Sequence, residues 1–203
     1  ESPQRILDIG TGTGVLSLMI AQNTSGKITA VEIENGAFLQ AQENVASSKW
    51  SDKIEVVKAD IKEYSTQSSE KFDLIISNPP FFQNSFKSEK NNKNLARHNE
   101  SLTLKELSFC VGNLLTDDGK FWVILPEYES NSLVLNLEEN QIFLEKSIII
   151  KNYIGDEKVS RIVNCFSFKK SDFVKKEIAI YQDKDREYTS DFVKLLKPYY
   201  LYL

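Results

Sequence analysis

The sequence predicts an α/β fold, a doubly wound and mostly parallel sheet with an antiparallel C-terminal edge. Three observations carry the prediction. Short apolar runs closed by acids, glycines or prolines alternate with helix-period segments from Arg5 to Leu137, the pattern of parallel strands joined by crossover helices. The first run leads straight into Gly10-Thr11-Gly12-Thr13-Gly14, the strand, glycine turn and helix that open a βαβ nucleotide site. Beyond Leu137 the chain changes to three successive β-like segments, Phe143 to Ile150, Arg161 to Phe168 and Glu177 to Tyr181, which suit an antiparallel end to such a sheet.

The bulk properties narrow the field. With 203 residues, 41% hydrophobic and 27% charged, the chain fits one globular domain over 1–203 with a real core. No apolar run approaches the roughly 18 residues a membrane span needs, and no signal peptide is visible. Cys110, Cys165 and the lone His98 give neither a disulfide framework nor metal-ligand spacing, so no metal is expected and a reducing cytoplasm is. A net charge of −4 argues against indiscriminate coating of nucleic acid while allowing a local basic patch. The chain starts without methionine a few residues before its first strand, and is expected to be part of something longer.

Arg5 to Ile9 reads as the first strand and Val15 to Asn23 as the helix after the glycine turn. A dinucleotide fingerprint would want its third glycine at position 15, which is Val15; here it falls at Gly14. Lys27 to Glu32 is the second strand, its run Ile28-Thr29-Ala30-Val31 ending in the acid Glu32, about 20 residues past the turn, where a carboxylate reaches ribose hydroxyls. Glu34 reads as a solvated strand end. Phe38, Ala41 and Val45 mark one face of a helix from about Asn35 to Ser48. Ile54 to Ala59 is the third strand, closed by Asp60, and Ser65 to Lys71 is a polar connection.

Phe72 to Ser77 is the fourth strand, and it ends in Asn78-Pro79-Pro80-Phe81. Two prolines stiffen this turn and leave its carbonyls free. Asn78 adds a side-chain acceptor and Phe81 a flat apolar face, a combination suited to a planar group with an amino substituent. The glycine turn, Glu32, Asp60 and Asn78 thus end four successive strands, on the sheet edge where open α/β folds bind ligands. The polar stretch 82–101 follows, with Phe82, Lys87, Lys90, Lys93, Arg97 and His98 against two acids, a composition suited to phosphate contact beside a base-reading site. Thr103 with Glu106 makes a capping box, and Leu102 with Leu107 a staple, for the next helix. Asp117-Asp118-Gly119 reads as a turn into the strand Phe121 to Leu125; Leu133, Val134 and Leu137 mark a helix, and Thr189 caps a short last one.

Asp8-Ile9-Gly10-Thr11-Gly12-Thr13-Gly14 with Asn78-Pro79-Pro80-Phe81 resembles the class I S-adenosylmethionine-dependent methyltransferases of the N-P-P-(Y/F) kind. That motif alone leaves adenine N6, guanine N2 and a protein glutamine amide open. Phe81-Phe82-Gln83-Asn84-Ser85, the Lys87 to Lys93 run, Ala96-Arg97-His98, Ser101-Leu102 and the ending Tyr188 to Leu203 are similar to the bacterial tRNA1(Val) adenine-N6 methyltransferases. The resemblance implies a Rossmann-like, seven-stranded sheet and methylation of the adenosine 3′ of the anticodon, position 37. It implies S-adenosylmethionine as cofactor, S-adenosylhomocysteine as product, and tRNA as partner of a cytoplasmic monomer. It places Asp8, Gly10, Thr11, Gly12, Gly14, Glu32, Ile33, Asp60, Ile61 and Asn78 around the cofactor, with Asp60 accepting from the adenine amino group and Ile61 stacking near the ring. Asn78, Pro79, Pro80 and Phe81 become the catalytic floor, and Phe82, Lys87, Lys90, Lys93, Arg97 and His98 contact RNA. Family members carry a segment before the first strand that helps close over the cofactor, and here only Glu1 to Gln4 precede it. A nicotinamide oxidoreductase is disfavoured by Val15. A non-catalytic RNA-binding module gives no reason for Asp8, Glu32, Asp60 and Asn78 on one edge.

Overall fold

In the computed structural model, which describes residues 2–79 and 102–200, β1 (Arg5–Ile9) lies between β2 (Lys27–Glu32) and β4 (Phe72–Ser77), parallel to both. β3 (Ile54–Lys58) extends the sheet past β2 and β5 (Leu115–Leu125) extends it past β4, again in parallel. β6 (Phe143–Tyr153), β7 (Val159–Ser167) and β8 (Val174–Tyr181) complete it. β7 runs antiparallel to both β5 and β6, and β8 parallel to β6. The strand order is β3-β2-β1-β4-β5-β7-β6-β8. The mostly parallel sheet with its antiparallel pairing in the C-terminal part is as the sequence predicts. Among the described residues the count is eight where the resemblance implies seven, because β8 adds a strand outside β6.

Alternating residues of the strands feed two cores on opposite faces, as the two-residue repeat of a strand dictates. On one face α1 (Val15–Ala21) and α2 (Asn35–Ala46) bring Leu18, Ala21 and Val45 onto Ile6, Ile28, Ala30 and Ile54. On the other, α3 (Ile61–Gln67), α4 (Leu104–Leu114) and α5 (Glu127–Glu139) bring Leu107, Val111, Leu114, Leu133 and Leu137 onto Leu7, Ile75, Phe121 and Val123. α4 begins as its sequence requires, with the reciprocal Thr103–Glu106 cap formed and Leu107 buried in the core. α6 (Ser190–Leu196) is capped by Thr189, whose hydroxyl accepts from the Phe192 N–H. Among the described residues no helix is long and apolar enough to cross a membrane.

Two expectations change. Residues 65–67 belong to α3 rather than to a polar connection, and the helix carries its own start signal: Asp60 accepts from the Lys62 N–H, with Glu63 in the first turn. Asp117-Asp118-Gly119 lies inside β5 instead of preceding it. Phe72 pairs with Leu115 and Leu74 with Lys120, so the residues between bulge out of register while the strand continues.

Candidate active site

The edge of interest is built from the C-terminal ends of four adjacent strands. Ile9 lies opposite Val31 on one side and Ser77 on the other, and Glu32 lies opposite Lys58. The glycine turn, Glu32, Asp60 and Asn78 therefore stand side by side, as the sequence pattern implies.

Beneath the turn is Asp8, only 1% exposed. Its Oδ2 accepts from the Thr11 and Ser17 hydroxyls, both at 2.7 Å, which fastens the turn to the first helix. Burial raises its carboxyl above the ordinary value; the Thr11 and Ser17 bonds oppose that rise. Asp8 and Thr11 thus shape the turn from below. Gly10, Gly12 and Gly14 have φ of 69°, 59° and 82°, the left-handed region that favours glycine. A Cβ at Gly10 or Gly12 would meet nothing within 4 Å, whereas one at Gly14 would stand 3.4 Å from the Ala41 Cβ. The first two glycines thus face open ground, and the third lets α2 come close.

Glu32 reaches over the turn from the end of β2. Its Oε2 accepts from the Gly12 N–H and its Oε1 from the Glu34 N–H, each at 2.8 Å, and the residue is buried. Glu34 caps α2 by accepting from the Gly36 and Ala37 N–H groups, which hold its carboxyl below the usual value. Asp60 sits at the start of α3 with its second oxygen 3.5 Å from the Lys62 ammonium, which lies equally close to Glu106 in the α4 cap. Ile61, expected beside the cofactor ring, is instead 7% exposed and packs in the core, because it opens the buried stripe of α3. Among the described residues, Ile33 is an apolar side chain left open on this edge, 51% exposed.

At the end of β4 the buried Ser77 hydroxyl donates to the Ile9 carbonyl at 2.9 Å, tying the two central strands where the turn begins. Asn78 is exposed, with no partner among the described residues, and Pro79 is half-buried. Pro80, Phe81, Phe82, Lys87, Lys90, Lys93, Arg97 and His98 lie outside the described residues. Sequence reasoning passed over Ser17, Lys62 and the bond made by Ser77. Ser17 left the clearest trace, a hydroxyl inside the apolar run Val15 to Ile20. Neither cysteine offers a thiolate: both are buried, and burial pushes the Cys165 thiol up to about 11. Among the described residues no three His, Cys, Asp or Glu side chains are grouped to hold a metal.

Residues 1–136 match the family model of the methyltransferase small domain. A tRNA1(Val) (adenine(37)-N6)-methyltransferase of Bacteroides fragilis is 37% identical over 202 residues, 99% of this chain and 84% of the relative. The chain belongs to the tRNA1(Val) (adenine(37)-N6)-methyltransferase family. Relatives of the same name from Trichodesmium erythraeum and Pectobacterium carotovorum are 37% and 34% identical, over 98% and 100% of this chain and 83% and 82% of theirs. Among solved structures, one described as a predicted O-methyltransferase from Agrobacterium tumefaciens superposes with a TM-score of 0.71 at 15% identity, over 95% of this chain and 88% of that one. A ribosomal protein L11 methylase from Lactobacillus delbrueckii gives 0.56 at 18%, over 84% and 72%. At such identities these two establish the methyltransferase fold alone. That fold and the tRNA1(Val) (adenine(37)-N6)-methyltransferase family imply S-adenosylmethionine as methyl donor.

Proposed function

We propose that the chain methylates the N6 amino group of adenosine 37 in tRNA1(Val), as a cytoplasmic monomer using S-adenosylmethionine. The observation that carries this reading is identity of 37% over 99% of the chain to a relative of that name. The exposed Asn78, standing on the same edge as the glycine turn, is its structural counterpart.

The described residues fit the cofactor. Gly10 and Gly12 leave a cradle that a Cβ would fill, Glu32 fixes an anionic acceptor at the ribose distance along the chain, and Ile33 offers an apolar face to the adenine ring. Asp60, already oriented by its bond to the Lys62 N–H, is the acceptor for the ring amino group. When bound, the cofactor supplies an electrophilic methyl on a sulfonium centre.

The protein's task is to make a poor nucleophile point the right way. An adenine amino nitrogen shares its lone pair with the ring. Accepting both of its N–H bonds, one at the Asn78 side-chain oxygen and one at the Pro79 carbonyl, draws that nitrogen toward tetrahedral geometry and frees the lone pair. No strong base is needed before attack, because the proton leaves readily once nitrogen is positive. Rate then comes from alignment and from fixed dipoles aimed at the developing charge. Phe81 takes the unstacked base, a contact worth roughly 1–3 kcal/mol per base. The test is incubation of the protein with labelled S-adenosylmethionine and total tRNA lacking the modification, followed by nucleoside mapping. Label in N6-methyladenosine at position 37 is expected. Label in guanine, in a protein glutamine or at another tRNA position overturns the reading.

A further inference from the structure

The eighth strand lies on the same cross-strand row as the end of β4. Ser77 pairs with Val123, Val123 with Asn164, Asn164 with Ser147, and Ser147 with Lys175. Lys176 is one step further, level with Asn78. Four strand spacings separate β4 from β8, about 19 Å at ~4.8 Å each. β6 and β8 then run on past this row to Tyr153 and Tyr181, forming a wall beside the edge that holds the candidate site.

The C-terminal part of the chain, which supplies this wall, differs in charge from the rest. Residues 143–200 carry 12 Lys/Arg against 9 Asp/Glu, while residues 1–142 carry 13 against 20. Lys175 and Lys176 are exposed, and neither has an ion-pair partner among the described residues. Strand alternation sends one cation to each face, and because β8 is the outermost strand the pair flanks the open rim of the sheet from both sides. Lys146, opposite Val174, lies 5.8 Å from the centre of the Trp122 ring, and Lys170 lies 4.5 Å from that of Phe143. Phe173, separated from the lysine pair by Val174 alone, is 52% exposed. Unpaired cations among aromatic rings make an electrostatic footprint suited to a sugar–phosphate backbone, in a chain whose net charge of −4 otherwise repels one.

We infer that Lys175 and Lys176, with Lys146 and Lys170 behind them, form a second tRNA-contact surface, which holds the phosphates of the anticodon arm while its loop nucleotide occupies the Asn78 edge. This rests on the tRNA reading above. The separation along the row is about the width of a nucleic-acid double helix, so one arm can touch both places. Phosphate contacts of this kind position the substrate and carry no sequence information.

The experiment compares the unaltered chain with K175Q/K176Q, and with K175R/K176R as the charge-retaining control. Steady-state methyl transfer to tRNA and tRNA binding against salt are measured for each. Two lost phosphate contacts lower the slope of log K against log salt by about 1.4–1.8 and weaken binding roughly tenfold or more at 0.1 M salt. The expected result is therefore a tRNA KM raised by about that factor, with kcat, cofactor affinity and Tm unchanged, and recovery in the arginine variant. An unchanged KM and slope overturns the surface. So does self-association of the glutamine variant with unaltered tRNA binding, since lysines on an open strand edge also block edge-to-edge pairing. Methyl transfer by the unaltered chain tests the tRNA reading itself, so the two failures are distinguishable.

Discussion

Glu32→Gln separates what the glutamate does for the fold from what it does for a ligand. In the free protein each carboxylate oxygen accepts one backbone N–H at 2.8 Å, from Gly12 and from Glu34. Glutamine keeps the shape and offers one acceptor and one donor, so one of those N–H groups must face an NH2. Leaving a buried donor unmet costs about 1–3 kcal/mol. In a chain of this size 1 kcal/mol moves Tm by about 2–4 °C, so the cofactor-free Tm should fall by roughly 2–12 °C. The second effect is loss of an anionic acceptor for two ribose hydroxyls. Hydrogen bonds to a charged group contribute about 1.5–3 kcal/mol each against about 1 for neutral pairs, so S-adenosylmethionine affinity should fall by about 10²-fold. Thermal melts by circular dichroism without cofactor read the first effect, and calorimetric titration well below Tm reads the second. A Tm within about 1 °C of the unaltered chain would show that the carboxylate does not hold both amides. Unchanged affinity beside a lowered Tm would remove the ribose role and leave Glu32 as a loop clamp.

Gly12→Ala should cost the free protein only about 1–2 kcal/mol for a left-handed φ, since its Cβ meets nothing within 4 Å. Its effect on cofactor affinity, read by the same titration, should be disproportionately larger; equal small losses would mean that the open ground is not the cofactor's. Asn78→Ala should lower turnover by roughly 10²–10³, by analogy with removing one oxyanion donor, with cofactor affinity changed little; near-normal kcat in single-turnover assays sinks that role. Glu106 is held below its ordinary 4.5 chiefly by the Thr103 N–H; burial opposes this as the next-largest effect, and the Thr103 hydroxyl and Lys62 add to the lowering. A lowered folded-state value contributes stability that is complete above the unfolded value and lost as pH falls through the folded one. The Tm difference between the unaltered chain and Glu106→Gln should therefore be full at neutral pH and shrink as pH falls below 4.5 through the lowered folded-state value; a pH-independent difference would assign the effect to packing.

The parts of this fold that repeat locally were readable. β1 and β4 have the predicted bounds, and the Thr103–Glu106 box marks the start of α4. α3 was missed because its seven residues offer only Ile61 and Tyr64 as apolar markers, too few for a helical period to stand out; its Asp60–Glu63 start signal was the better guide. The turn chemistry of Asp117-Asp118-Gly119 was real, but pairing with β4 on both sides of it turned a loop into a bulge. That choice depends on a distant partner strand, Phe72 pairing with Leu115 and Leu74 with Lys120, and cannot be read from the segment itself. At the site, residue identity was legible and direction was not. Ile61 carries the right chemistry for a ring contact, yet the helix phase set by the Asp60 cap turns it into the core, while Ile33 faces outward.

The carboxylates on this edge share a property that bears on how a ligand would bind. Asp8, Glu32 and Asp60 are each engaged before any ligand arrives, by hydroxyls and backbone N–H groups of the adjoining turns. Their oxygens retain lone pairs for further donors, but their orientations are already fixed. At Glu32 and Asp60 a ligand therefore meets acceptors whose rotamer entropy was lost on folding, not on binding, while the buried Asp8 holds the turn from below. The Lys62 ammonium extends the same logic sideways. By lying 3.5 Å from both Asp60 and Glu106 it links the end of β3 to the first turn of α4, the helix that follows residues 80–101. One cation thereby bridges the proposed adenine acceptor and that helix start. Lys62→Met should accordingly weaken cofactor binding, read by calorimetry, without touching the ligand, and Lys62→Arg should restore it in part. Loss of stability alone, with affinity intact, would reduce the bridge to a surface ion pair of the usual small worth.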